Sequence, residues 1–383
     1  VPDPHLTGVV ALLRIVAIAL IAIVLWEAFE TMVLPQRTGR RLRLTRFFYI
    51  ATWGPWRFAG RAIRSPRTRE TFLSLFGPLS ALVLLAVWAV VLIFGFALIF
   101  WTMSDQFSPT NATFNFPEAL YVSGSMLVTV GVTDVTATTI AARYLMICEA
   151  GIGFAFLAIT ITYLPVLYGA FSRREWNIAM LDARAGSPPT ALELLRHFDQ
   201  GGSWAGLEPF LADWERWAAE VLESHMSYPL LGFFRSQHHN QSWLGSLVTI
   251  LDTCSWLLAA GPDVPARQAR LTYAMCRHAV VDLSHVFHAS PDLDYPRRLN
   301  AEAWNLLQAH TPDPFPDSRE RIEALIAAYE PFVHPLARRV DHVIPSWIPE
   351  QNVNQNWAKS AWGTLSPEVL ELVHTDSRFK GTG

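Results

Sequence analysis

Phe116-Pro117-Glu118-Ala119-Leu120-Tyr121-Val122-Ser123-Gly124-Ser125-Met126 runs straight into Leu127-Val128-Thr129-Val130-Gly131-Val132-Thr133-Asp134, and a long apolar run follows from Ile140 to Pro165. The first piece, about a dozen residues, is too short to cross a bilayer, which takes roughly 20. Followed by an extended Thr-Val-Gly segment, it reads as a half-helix that enters a membrane and turns back. Non-helical backbone at that depth is tolerated only where it lines a water-filled path. Its use there is to aim carbonyl oxygens at an ion.

Outward from this stretch, the chain is more apolar than ordinary soluble proteins, with 51% hydrophobic residues over 383 positions. Its net charge is only −3, but the charge is unevenly spread, and the unevenness locates the membrane. Leu6 to Leu34 is too long for a signal-peptide core, and no small-residue cleavage pattern follows it. It reads as a transmembrane helix ended by Pro35, with Arg14 extending to the outer interface. Glu27 and Glu30 read either as an interfacial face or as a buried pair with a neighbouring arginine.

Between Gln36 and Glu70, Arg37, Arg40, Arg41, Arg43, Arg46, Arg57, Arg61, Arg64, Arg67 and Arg69 alternate with Phe47, Phe48, Tyr49, Trp53, Trp56 and Phe58. Such an excess of arginine places the segment on the cytoplasmic side. Its mixture of cations and aromatics suits a helix lying in the inner interface against anionic lipid. Nucleic acid would need the same charges, but flanking membrane spans exclude that partner. Voltage-sensing arginines recur every third residue inside an apolar span, and these cluster outside one. Thr71 to Met103 is the second span, with a bend expected at Gly77-Pro78. Ser104 to Asn115 has neither lysine nor arginine, as expected outside, and Asn111-Ala112-Thr113 fits a glycosylation acceptor. The third span returns inward to Arg173 and Arg174. The expected topology is a multi-pass plasma-membrane protein with its N-terminus outside and its C-terminal part cytoplasmic.

The central stretch resembles the pore module of the tetrameric potassium channel superfamily: outer helix, pore helix, selectivity filter, inner helix. The family filter is Thr-Val-Gly-Tyr-Gly-Asp, and Thr129-Val130-Gly131-Val132-Thr133-Asp134 matches it at four of six positions. Ser123 falls on the pore helix where the family often has a small hydroxyl residue. Arg143 opens the inner helix, and Gly153 takes the place of its hinge glycine. The resemblance implies a homotetramer that binds potassium ions at Thr129 to Asp134, with Ser123, Arg143 and Glu149 supporting the filter. It departs at Val132, where the family has a bracing aromatic residue, and at Thr133, where it has a glycine in a left-handed conformation. A β-branched residue is costly in that conformation, so discrimination between potassium and sodium is expected to weaken. Glu149 is ionisable within a span and so a functional candidate. It is either held by the hydroxyls of Ser123 or Ser125 or lines a cavity. Pro165 interrupts helical hydrogen bonding near the inner mouth, with Gly169 one turn later; with Gly153 they are the expected gating positions.

From Glu175 onward the chain changes to soluble character for about 200 residues, a domain-sized length. Helical periodicity recurs at 191–198, 207–224, 242–260, 264–289, 300–309 and 317–339, punctuated by proline-containing turns. No Gly-x-Gly-x-x-Gly turn follows a strand, which argues against a nucleotide-binding regulatory domain. His278, Asp282, His285 and His288 form a stripe at helical spacing, near Cys276 in sequence and with His238 and His239 on a neighbouring segment. The stripe reads as a divalent-metal site, a proton-sensitive contact or a solvated face. Cys148, Cys254 and Cys276 are expected as reduced thiols. No nucleophile–base set marks an enzyme.

The expected fold class is an all-α membrane protein: three transmembrane helices plus a re-entrant pore helix and filter, followed by an all-helical cytoplasmic domain. Its parts are an N-terminal helix (1–35), a basic aromatic segment (36–70), a pore module (71–174) and a regulatory domain (175–383). The expected function is a potassium or monovalent-cation channel gated by that domain. A poorly selective channel, or a non-conducting sensor or scaffold, are the other readings.

Overall fold

The structure, a computed structural model, describes residues 4–34, 44–109, 113–131, 134–199, 204–237, 240–260, 266–309, 318–349, 359–360 and 363–364. In chain order the helices are α1 (Pro4–Met32), α2 (Leu44–Ala62), α3 (Pro66–Ser74), α4 (Phe76–Trp101), α5 (Phe116–Leu127), α6 (Ile140–Ala185), α7 (Ala191–Phe198), α8 (Leu207–Ser227), α9 (Trp243–Ala260), α10 (Ala266–Val286), α11 (Ala301–Gln308), α12 (Ser318–Ala327) and α13 (Glu330–Val340). Strands β1 (Phe107–Pro109) and β2 (Val135–Ala137) pair antiparallel, as do the two-residue β3 (Lys359–Ser360) and β4 (Gly363–Thr364). Arg37, Arg40, Arg41, Arg43, Asn111, Val132, Thr133, His238 and His239 lie outside the described residues.

The chain divides into two compact units, Val1–Ala62 with Leu75–Gly169 and Ile63–Ser74 with Ala170–Gly383. Helix α3, at the junction of the basic segment and the second span, therefore belongs with the C-terminal helices. Gly8–Met32, Pro66–Trp101 and Ile140–Ala185 are each long and apolar enough to cross a membrane, at mean hydropathies of 2.9, 3.0 and 2.0. This is a membrane protein.

In the first unit, Ala17, Ile21, Val24 and Ala28 recur at steps of four, three and four and form the buried seam of α1, which packs against α4. Arg14 donates to both the hydroxyl and the carbonyl of Thr102, each at 3.0 Å. That sets a cation on the C-terminal end of α4, where the helix dipole favours it. Glu27 sets aside the interfacial-face reading. It is buried, and its carboxylate accepts from Leu44 N at 3.1 Å, Thr45 N at 3.2 Å and Thr45 Oγ1 at 2.8 Å. The first amides of a helix have no partner within it, so Glu27 fastens the start of α2 to the end of α1. The break between α3 and α4 falls at Leu75, ahead of the Gly77-Pro78 pair. Pro78 then sits in the first turn, where a missing N–H costs nothing.

The second unit is a helical assembly around Trp217, Trp243, Trp347 and Tyr329, all fully buried. Its periodic segments were legible in sequence, except that 317–339 divides into α12 and α13. Pro331, in the first turn of α13, has no N–H to continue the preceding helix. Inside the unit, Arg298 grips Asp252 with two bonds of 2.7 and 2.8 Å and Glu330 with one of 2.7 Å, and the Tyr329 hydroxyl donates to Asp252 at 2.5 Å. Two buried carboxylates thus share one guanidinium, and Oε2 of Glu330 has no partner among the described residues. Burial pushes Glu330 up to about 7, against the pull of Arg298.

A carboxyl raised in the folded state stabilises it fully at pH values below the unfolded pKa, and this contribution is lost as pH rises through about 7. Asp252 shifts in the same direction, also through burial. The thermal midpoint of the unit is therefore expected to fall between pH 5 and pH 8. Glu330→Gln should flatten that fall by on the order of 5 °C. Circular-dichroism melting at the two pH values checks this, and parallel profiles for the two proteins would contradict it.

Candidate functional site

Asn115 starts α5 by accepting the Glu118 amide at 3.1 Å, with a proline in the first turn. This is a strong start signal for a short helix. Twelve residues give about 18 Å of helix, well short of a bilayer. Ala119, Val122 and Leu127 are buried in one core with Trp88, Phe96 and Phe100 of α4, so α5 lies against that span.

The segment that leaves α5 is organised by three amides. Thr129 N–H donates to Met126 O at 3.0 Å, and Val130 and Gly131 donate to Ser125 O at 2.9 and 3.4 Å. In a planar trans peptide the N–H and C=O point in opposite directions. The carbonyls of Val128, Thr129 and Val130 share those three peptides, so they all face away from α5. Alternation of backbone sense produces this: φ is 58° at Thr129 and 73° at Gly131, while Val130 between them is not left-handed. Such alternation turns successive amides to one side. Gly131 takes the conformation without strain, whereas for Thr129, a β-branched residue, it is a costly one. The C-terminal, partially negative end of α5 supplies the Ser125 and Met126 carbonyls that take these amides. Val128 and Val130 are 61% and 75% exposed, so one chain leaves this segment largely uncovered. Chemically, the row is a set of oxygens able to replace part of a cation's water shell.

From Asp134 onward, the chain is stitched back. Tyr121 of α5 donates to Asp134 at 3.4 Å. The β1–β2 register sets Phe107 opposite Ala137, and Thr138 N–H donates to Gln106 O at 2.9 Å. Arg143 Nε donates to the Ala137 carbonyl at 3.0 Å, so it braces the segment after Asp134. Sequence reading did not find this strand pair, because three residues are too few to show alternation.

Behind the row, Ser123 is buried, its hydroxyl 2.5 Å from Glu149 Oε1 and 2.9 Å from the Ile93 carbonyl. Glu149 is fully buried, so of the two sequence readings the serine-held carboxyl is the observed one. Its Oε2 and the Ser125 hydroxyl have no partner among the described residues. Four residues on, Gly153 backs onto the end of α5 so closely that a Cβ there would lie 1.9 Å from the Leu127 carbonyl oxygen. The glycine permits α6 to touch α5 at the turn that holds the three amides.

Helix α6 runs unbroken from Ile140 to Ala185 through Pro165 and Gly169. In the second unit its Arg174 is buried and donates to Leu231 O at 2.9 Å, Phe234 O at 2.8 Å and Glu175 at 3.0 Å. Arg174 Nη1 lies 3.2 Å from His225 Nε2, and Nδ1 of that ring is 2.8 Å from Val221 O. Burial and the adjacent guanidinium hold His225 well below its ordinary pKa, hence neutral. The next residues of the same segment reach α3: Arg235 binds Glu70 at 3.0 Å and Asp341 O at 2.7 Å, and Asp341 binds Arg69 at 2.7 Å. Residues 231–236 thus hold both the continuation of α6 and the helix that leads into α4. No motif announced this, because carbonyl acceptors carry no sequence signature.

The histidine stripe is not gathered. His278 and Asp282 approach to 3.6 Å, His285 lies beside the Phe332 ring, and α10 ends at Val286. His288, at φ 53°, is past the helix end and bonds the Val286 carbonyl. Among the described residues no group of three metal-ligating side chains forms.

Residues 86–167 match the family model described as ion channel. No curated protein and no solved structure matches the chain.

Proposed function

We infer, from the ion channel domain that this chain carries over residues 86–167, that it is the pore-forming subunit of a cation channel. Four copies set Thr129 to Gly131 around an axis, and potassium or another monovalent cation passes between them. One observation carries this reading: three successive amides turn back to α5, leaving the carbonyls of Val128, Thr129 and Val130 on the opposite side. A single chain supplies one side of such a path, so a closed ring of copies is needed. Ser123, Glu149 and Gly153 support the row from behind, and Asp134 and Arg143 support its exit. The arginine-rich stretch before α4 supports a cytoplasmic position for that side. With three spans, the N-terminus lies outside and the second unit inside. That unit regulates opening through α6, with Pro165 and Gly169 on the connecting helix.

The test is flux and bi-ionic reversal potential of the purified chain in vesicles. Val132 and Thr133 stand where the potassium channel filter has an aromatic residue and a glycine, which weakens discrimination between potassium and sodium. The wild type is expected to pass sodium measurably. Val132→Tyr with Thr133→Gly should move the reversal potential toward the potassium limit. A wild-type value already at that limit would overturn the selectivity reading. No flux, or a monomer by mass in detergent, would overturn the pore itself.

A further inference from the structure

We propose that α2 is a membrane-surface helix that seats its exposed apolar stripe among acyl chains and its arginine edge on anionic lipid headgroups. The proposal rests on α1 and α4 being membrane spans, and it assigns a lipid partner to a specific face. Three faces of α2 can be told apart. Tyr49, Trp53, Trp56 and Gly60, at steps of four, three and four, turn toward the protein; Trp53 is 4% exposed, and its ring lies 4.8 Å from that of Phe76. Leu44, Phe47, Ala51, Gly54 and Phe58, at steps of three, four, three and four, make a second stripe that is uncovered. Phe47 is 55% and Phe58 79% exposed. Arg46, Arg57 and Arg61 fall between those two faces on the helical projection, at the edge of the uncovered stripe.

The contacts that place α2 lie at the chain-adjacent ends of the two spans. Glu27 and Thr31 of α1 hold its start, and Phe76 of α4 receives Trp53 and Trp56. A helix fixed there lies at a bilayer boundary, and an apolar stripe edged by cations is the pattern of an interfacial helix. Charge complementarity selects the lipid. From Thr31 to Arg69 the chain has ten arginines and no acidic residue, and each cation near a surface of anionic lipid adds about 1 kcal/mol of attraction.

The experiment uses the full chain with Cys148→Ser and Phe58→Cys, labelled with an environment-sensitive fluorophore and reconstituted in mixed phosphatidylcholine and phosphatidylglycerol vesicles. Either lipid carries brominated chains in turn, at constant overall composition. Quenching by both is expected, stronger by about twofold when the phosphatidylglycerol is brominated. Arg57→Gln with Arg61→Gln, or high salt, should remove that preference while leaving quenching in place. A label at Ile15→Cys, on the exposed face of α1, reports separately whether the spans are in the bilayer. Ile15 quenched with Phe58 unquenched would overturn the proposal and leave the channel reading intact, pointing to protein as the cover of the stripe. Equal quenching by the two lipids would overturn the anionic partner. An unquenched Ile15 would remove the premise that α1 spans, and the proposal with it.

Discussion

Gly153→Val is expected to lower potassium flux through the reconstituted protein by about tenfold or more and to weaken its assembly in detergent. The reason is a single distance. A Cβ at position 153 would lie 1.9 Å from the Leu127 carbonyl oxygen and 2.7 Å from its carbon. These are backbone atoms in the last turn of α5, so no rotamer change relieves the clash, and either α6 or α5 must move. Overpacking of this kind costs about 1–3 kcal/mol or more. Here the strain falls on the turn whose Ser125 and Met126 carbonyls hold the amides of Thr129, Val130 and Gly131. Losing those bonds frees the carbonyl row to rotate. Gly151 provides the contrast, since nothing lies within 4 Å of where its Cβ would sit. Gly151→Ala should therefore elute and melt like the wild type. If Gly153→Val retains full flux and elution volume, α5 and α6 do not need this contact in the working assembly.

Arg174→Met is expected to lower the thermal midpoint of the helical unit by about 10 °C, corresponding to about 3–5 kcal/mol. It should also change open probability at an unaltered reversal potential. Methionine keeps much of the buried volume but leaves the Leu231 and Phe234 carbonyls without the guanidinium that now satisfies them. Arg174 also anchors the stretch of α6 whose carbonyl accepts from Trp217 Nε1 at 3.1 Å. Residues 231–236 hold α3 through Arg235 and Glu70 as well, so loosening one side changes how force reaches the other. Arg196→Gln, which breaks an exposed pair with Glu193, should change stability by less than about 1 kcal/mol. Single-channel recording alongside melting separates the two effects. Reduced stability with unchanged gating would make Arg174 a folding residue and remove it from the route between the helical unit and the pore.

The sequence alone determined the membrane-spanning class, the short re-entrant α5 and the helical content of the C-terminal part. These rest on span length, on apolar periodicity and on proline punctuation, which are local properties of the chain. Ser123 beside Glu149 was legible too, as one of two alternatives, because a carboxyl inside a span needs a nearby hydroxyl. Only the tertiary structure decided what Glu27, Gly153 and Arg174 do. Glu27 caps a helix that begins 17 residues later, Gly153 is needed because the α5 backbone passes beside it, and Arg174 binds carbonyls 57 and 60 positions away. Backbone amides and carbonyls are the same at every position, so a partner of that kind leaves no trace in residue type. The histidine stripe lost its last member, His288, for the converse reason. Its spacing assumed a helix through position 288, and the left-handed turn at His288 ended α10 first. Helical spacing places side chains on one face only while the helix lasts, and where it stops is settled by the packing around its end.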